Sequence, residues 1–367
     1  MSQVAGQVLR GFVGEGLPLW RGAALASPVP PRLSQLRFID IGANLLDDMF
    51  SGVYNEKQRH EADLPFVVDR AKSCGLERVI CTAGTSEDSA RALRLASLPE
   101  YSDFLSSTVG VHPTQCNEFA EGKGEAVIEN LSRLIAEANV PGQPRRVVAL
   151  GECGLDYARL QFCPRELQLL GFQQQLDLAE RADLPLFLHS RDTDGEFLRI
   201  VRENRHKLRR GGVVHSFDGS MEEMRALTDE LGLHIGINGC SLRSEESLLV
   251  AAAVPEHLLL LETDAPWCGI KPTHPSHAHV GTTFPTRKKE KYAAGVMVKD
   301  RNEPCTLRQV FEVVAAVRGL GLGRGGGGGW GGGWGGIEGE GEGEDAAVLA
   351  LAERVLANTR KLFFSEG

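Results

Sequence analysis

Short apolar runs bounded by glycine, proline or polar residues recur along the chain. Eight read as strands: Phe38–Ile41, Val79–Thr82, Ser107–Val111, Val147–Leu150, Leu186–Leu188, Gly212–Val214, Leu233–Ile237 and Leu258–Leu261. Several intervals carry a helical period instead. Asp63–Cys74 places Val67, Val68 and Ala71 on one face and stops at Gly75; Gln168–Ala182 does so through Leu169, Phe172, Leu176 and Ala179; Glu222–Leu231 does so through Met224, Leu227 and Leu231. Strands alternating with helices imply a parallel sheet, and eight strands is the number that closes a barrel.

A doubly wound open sheet alternates in the same way, but it gathers its ligands at one switch point, whereas a barrel takes them from the C-terminal ends of many strands. Here polar residues follow most strands: Asp40 and Asn44, His112, Glu152 and Asp156, His189 and Arg191, His215, and Asp264. Only the second strand lacks one, and the seventh offers Asn238 alone. The expected fold class is therefore α/β, a single (β/α)8 TIM barrel over residues 37–319.

The flanks read differently. Residues 1–36 form an extension with three arginines and one acid, either disordered or a targeting segment. Residues 320–345 are dominated by glycine, with Trp330, Trp334 and an alternating Glu-Gly stretch, and read as a disordered insertion. A C-terminal helix, packing through Leu349, Leu351, Val355 and Leu356, is expected from Ala346 onward.

Net charge is −9, which argues against a protein that coats nucleic acid through its bulk field. Five acids of the low-complexity run (Glu338, Glu340, Glu342, Glu344, Asp345) account for more than half of it, so a nuclease is not excluded. The eight cysteines include no CxxC pair and suit a reducing compartment. No apolar run reaches the roughly 18 residues of a membrane span. The expected location is intracellular, in cytoplasm or nucleus, with organellar targeting by the extension as the alternative.

Candidate chemistry sits at the strand ends. Glu152 ends an apolar strand, where a carboxylate needs a partner, either a metal or an arginine. His189 and His215 end consecutive strands, and neutral imidazole is the commonest nitrogen ligand of zinc-like ions. Asp264 ends the eighth strand, where it would bind metal, orient water and take its proton; alone it also reads as a helix N-cap before Pro266. Two carboxylates and two imidazoles suit a divalent cation, without choosing among zinc, manganese and magnesium, and support hydrolysis. His112 stands at a lip position to touch substrate, and the seven remaining histidines, His60 and His234 among them, read as solvated. Arg191 is a candidate phosphate contact and Trp267 a candidate base-stacking residue.

Eight segments in order resemble the TatD-related DNase family: Phe38-Ile39-Asp40-Ile41-Gly42-Ala43-Asn44-Leu45, Thr108-Val109-Gly110-Val111-His112-Pro113, Ala149-Leu150-Gly151-Glu152-Cys153-Gly154-Leu155-Asp156, Phe187-Leu188-His189-Ser190-Arg191, Val214-His215-Ser216-Phe217-Asp218-Gly219, Ile235-Gly236-Ile237-Asn238-Gly239, Glu262-Thr263-Asp264-Ala265-Pro266-Trp267 and Arg301-Asn302-Glu303-Pro304. The resemblance implies a metal-dependent DNA hydrolase, acting as a 3′→5′ exonuclease on single strands. Its metal ligands fall on Glu152 (bridging), His189, His215 and Asp264, with Asp264 and Glu152 catalytic and Asn44, His112, Arg191 and Trp267 toward the substrate. The wider superfamily's His-x-His after the first strand is absent here. Asp40-Ile41-Gly42-Ala43-Asn44 stands in its place, so one or two ions are expected. A small-molecule or aminoacyl-ester amidohydrolase or esterase would use the same centre. A barrel without catalysis, serving as a binding partner, would need a broken ligand set.

Overall fold

Each run read as a strand contributes to one sheet. The computed structural model describes residues 35–320 and 341–365. Its strands are β1 (Phe38–Ala43), β2 (Leu76–Cys81), β3 (Leu105–Val109), β4 (Val147–Asp156), β5 (Leu186–Arg191), β6 (Gly212–Val214), β7 (His234–Ile237) and β8 (Leu259–Leu261). They pair in that order, all parallel. The fold is an α/β TIM barrel.

No regular ladder joins β8 to β1. The seam closes at the C-terminal lip, where Asp264 N donates to Gly42 O at 2.8 Å and Asn44 N to Ala265 O at 2.6 Å. The buried carboxylate of Asp40 completes it, taking Thr263 N at 3.0 Å and Thr263 Oγ1 at 2.5 Å. A β1 side chain here supplies the acceptors that β1 carbonyls would have offered in a regular ladder.

The outer helices include α1 (Leu64–Ser73), α2 (Ser86–Ser97), α3 (Gly124–Ala138), α4 (Arg165–Ala182), α5 (Glu196–Glu203), α6 (Met221–Arg225), α7 (Glu245–Ala253), α8 (Leu307–Val317) and α9 (Gly341–Phe363). α1 buries Val67, Val68 and Ala71, the face its period indicated. α6 widens into a π-turn at Ala226–Glu230, where Thr228 Oγ1 donates back to Met224 O at 2.9 Å. α9 begins at Gly341, upstream of the expected Ala346. The bulk of the N-terminal extension, and Trp330 and Trp334, lie outside the described residues.

Inside the barrel, Ile41, Ile80, Val148, Phe187, Val213 and Leu260 form a core layer of their own. Leu362 and Phe363 of α9 join this layer, so the chain's last helix plugs the N-terminal end of the barrel. Burying those two side chains contributes about 1.5–3 kcal/mol each. Asn358 fixes the plug by donating Nδ2 to Glu256 O (2.6 Å) and Leu259 O (3.1 Å). The opposite, C-terminal end stays open to solvent chemistry. No helix among the described residues is long and apolar enough to cross a membrane.

Candidate metal centre

β4 overruns its apolar core by six residues, and this extension carries the central carboxylate. A bulge between Gly151 and Cys153 shifts the register against β5, which then pairs Gly154 with His189. Gly151 sits at φ +145, and a Cβ there would lie 2.2 Å from Phe187 O, so only glycine lets the two strands approach this closely. Glu152 thereby turns into the barrel mouth on a buried backbone.

Three imidazoles converge on Glu152 Oε1. His215 Nε2 lies 2.6 Å away, His189 Nδ1 2.8 Å and His112 Nε2 3.3 Å. His189 Nδ1 and His215 Nε2 are themselves 3.2 Å apart. Ligand atoms of His112, Glu152 and His189 all lie within 4.8 Å of one another, close enough to share an ion.

Each of the two closest imidazoles has a carboxylate behind it. His189 Nε2 is 3.4 Å from Asp156 Oδ2, and His215 Nδ1 is 3.6 Å from Glu262 Oε1. Asp156 and Glu262 are buried completely. Such a carboxylate holds the proton on the rear nitrogen and leaves the front nitrogen's lone pair facing the site. Both oxygens of Asp156 and Oε2 of Glu262 lack hydrogen-bond donors among the described residues, although Arg159 Nε approaches Asp156 Oδ2 to 3.7 Å.

Electrostatics follow from this crowding. Burial opposes ionisation of Glu152, but the His215 and His112 imidazoles overcome it and hold its carboxyl well below the usual range. Burial also works against a charged His215, yet Glu152 and Glu262 raise its pKa well above the ordinary value. His189 is raised too: burial is outweighed by Asp156 and Glu152. His112 goes the other way, because burial wins over its attraction to Glu152. Burial pushes Asp264 up to about 6, with His215 pulling it down and Glu152 and Glu262 adding to the rise.

Asp264 stands slightly apart. Its Oδ1 accepts from Asn44 Nδ2 at 2.7 Å, and its Oδ2 from Cys268 Sγ at 3.1 Å. Asn44 is in turn oriented by Thr82 Oγ1, which donates to its Oδ1 at 2.9 Å. No hydrogen bond joins Asp264 to an imidazole among the described residues. Its backbone is held at φ +51, a left-handed conformation that an aspartate adopts at a cost. Behind it, Asn302 donates Nδ2 to Thr263 O (3.0 Å) and N to Pro266 O (2.9 Å). Neighbouring Arg301 is fully buried and grips Asp63 through both terminal nitrogens (2.7 and 2.6 Å) and Glu303 at 2.9 Å.

The donor set fits a divalent cation. Four carboxylates (Glu152, Asp156, Glu262, Asp264) surround three imidazoles at the mouth, and two front nitrogens point at the same carboxylate oxygen. A cation would replace protons on that face, since ligating imidazole must be neutral there. The structure brings Glu152, His189 and His215 together as the sequence indicated. It adds His112 to the same cluster, with its Nε2 3.3 Å from Glu152 Oε1. Trp267 is half-exposed near Asp264, and Arg191, half-buried at the end of β5, has no side-chain partner among the described residues. His60 and His234 depart from their solvated reading. His60 is buried and stacks on Tyr292, with ring centroids 4.4 Å apart, and burial lowers the His234 pKa to about 4. Asp156 and Glu262 escaped the sequence reading as orienting groups; the signal was a charged residue inside or just beyond an apolar strand.

Comparison with known proteins agrees with this arrangement. The family model described as TatD related DNase matches residues 39–363. A Schizosaccharomyces pombe protein named Deoxyribonuclease Tat-D is 44% identical over 292 residues, covering 79% of this chain and 92% of that one. An Edwardsiella piscicida protein named 3′-5′ ssDNA/RNA exonuclease TatD is 35% identical over 283 residues, covering 76% and 91%. Among solved structures, a TatD family hydrolase from Entamoeba histolytica superposes with a TM-score of 0.74 at 32% identity, covering 90% of this chain and 98% of its own.

Proposed function

Since the chain belongs to the TatD-related DNase family, we propose that it is a metal-dependent deoxyribonuclease that hydrolyses phosphodiester bonds of single-stranded DNA as a 3′→5′ exonuclease. The observation that carries this reading is the convergence of His112, His189 and His215 on Glu152 Oε1 at the open end of the barrel. Glu152, His189, His215 and Asp264 are the proposed ligands of one or two divalent cations, magnesium, manganese or zinc. When bound, the cation supplies Lewis acidity and neutralises charge developing on the phosphate oxygens.

The protein's own groups do the rest. Asp264, whose carboxyl burial raises to about 6 in the metal-free site, is the proposed acceptor of the attacking water's proton. Asn44 and Cys268 fix its two oxygens, so the proton acceptor is held in one orientation. Asp156 and Glu262 keep the rear nitrogens of His189 and His215 protonated. The buried side chains around Glu152, held by one another, limit reorganisation as the phosphate accepts the new bond. We place the work inside the cell, in cytoplasm or nucleus; the eight free cysteines support a reducing compartment.

The test is hydrolysis of a 5′-labelled single-stranded oligonucleotide with Mg2+, Mn2+, Zn2+ or EDTA, beside Glu152→Gln and Asp264→Asn. A metal-dependent ladder shortened from the 3′ end, reduced by orders of magnitude in both variants, is expected. Full activity in both variants at equal metal occupancy would refute the assignment. No cleavage by metal-loaded wild type would redirect the same centre to ester or amide substrates.

A further inference from the structure

The barrel mouth is flanked by two unlike cavities. On the side of Ser190 and Phe217, beyond β5 and β6, lies a cleft of about 860 Å³ lined by seven carboxylates and two guanidiniums. One of those, Arg202, is already paired with Glu230 at 2.7 Å. That side repels a polyanion. On the other side a cavity of about 490 Å³ opens between Trp267 and three lysines, Lys288, Lys289 and Lys299, with Tyr54 and Met49 among its apolar lining.

Two local features build the second cavity. Trp267 follows the site by three residues and is tied to it, its N donating to Asp264 O at 3.0 Å. Its side chain is 50% exposed although residues 261–263, 265 and 266 are buried, so an indole is presented to solvent beside the centre. A two-stranded parallel ladder pairs Thr286 with Met297 and Arg287 with Val298. Lys288 and Lys299, eleven residues apart in sequence, therefore leave adjacent strand ends together, and both are exposed. Lys289 lies 4.8 Å over the Tyr54 ring and is less free.

The same cavity carries four acids, Asp47, Asp48, Glu290 and Asp300, which disfavour a bare phosphate cluster. They suit a nucleobase, whose edge offers N–H donors to carboxylates while its face stacks on an aromatic ring. We propose that this cavity is a subsite for a nucleotide of a single strand, neighbour to the one at Glu152. Its base stacks on Trp267 and its phosphate is taken by Lys288 and Lys299. A base within a duplex has no free face for Trp267, so the subsite selects unpaired strands. The proposal rests on the nuclease reading of the Glu152 centre.

The experiment is fluorescence anisotropy of a 5′-fluorescein decathymidylate with phosphorothioate linkages, which resist cleavage, on metal-loaded protein. Trp267→Ala should raise Kd roughly 5- to 150-fold, the range for losing one base stack, and Trp267→Phe should recover most of it. Lys288→Ala with Lys299→Ala should flatten the salt dependence, by about 0.7 in log–log slope for each phosphate no longer neutralised. Trp267→Ala binding within about twofold of wild type, or no binding by wild type, would overturn the subsite. Trp267-dependent binding without hydrolysis of an ordinary oligonucleotide would unseat the catalytic reading and leave the subsite standing.

Discussion

Replacing Asp156 with asparagine removes one negative charge 3.4 Å from His189 Nε2 and leaves shape unchanged. In the wild type Asp156 faces His189 Nε2 at 3.4 Å and its charge favours the proton on that nitrogen, so the lone pair of His189 is on Nδ1, the atom 2.8 Å from Glu152 Oε1. An asparagine can turn its amide N–H toward Nε2, which moves the imidazole proton to Nδ1 and blocks ligation there. Removing such an orienting group typically costs 10–100-fold in metal affinity, about 1.4–2.7 kcal/mol. Asp156 is buried completely and has no other close cation than Arg159 at 3.7 Å, so the loss should fall at the upper end of that range. The assay is calorimetric titration with Zn2+ or Mn2+ against a chelator of known affinity at neutral pH, with thermal melts in EDTA as the control for folding. A variant whose metal affinity lies within about twofold of wild type, while its fold is intact, would refute the orienting role.

Gly151→Ala should destabilise the fold by on the order of 3 kcal/mol or more in urea denaturation, because its Cβ would meet Phe187 O at 2.2 Å and φ is +145; near-wild-type stability would show that β4 and β5 can part. Burial pushes Asp40 up to about 8, against the hydrogen bonds from Thr263 and Gly42 that lower it. The native state then holds a proton that the unfolded chain releases near pH 4, so the contribution is complete below pH 4 and is lost as pH rises through 8. In EDTA, wild-type stability should therefore fall between about pH 4 and 8 relative to Asp40→Asn and run parallel above that, and curves parallel throughout would contradict this. Arg301→Met leaves buried Asp63 with Arg70 only at 3.9 Å and should cost about 3–5 kcal/mol in thermal or urea unfolding; a loss under about 1 kcal/mol would mean that Arg70, which already holds Glu303 at 2.7 Å, takes over Asp63 as well.

The barrel was legible because the strands' apolar runs are short and most are followed by a polar residue suited to chemistry. Glu152, His189 and His215 were found that way, and they do meet. The extension of β4 to Asp156 was not legible: Glu-Cys-Gly-Leu-Asp has neither alternation nor an apolar run, and its strand conformation comes from pairing with β5. α2 was equally hidden, since its buried positions are Ser89, Ala92 and Ala96, small residues that carry little hydrophobic signal. Glu262 stood in the eighth-strand motif with no role of its own. Its role depends on lying 3.6 Å from His215, which follows a strand two places away in the sheet, and no local pattern encodes that. His112 was placed at the lip correctly, but only the tertiary fold brings it into the imidazole cluster.

The seam between β1 and β8 also fixes when the protein becomes an enzyme. Asp40 and Thr263 are 223 positions apart, and Asn44 and Asp264 are 220 apart, so the groups that hold Asp264 come from opposite ends of the barrel's stretch of chain. A chain emerging from the ribosome presents Glu152 and the three histidines well before the eighth strand exists. Until that strand docks, Asp264 has neither Asn44 nor the Gly42 carbonyl to fix it. The plug of Leu362 and Phe363 arrives later still. On the proposed reading, a half-made copy is a harmless one, and the ability to cut arrives together with the closed ring.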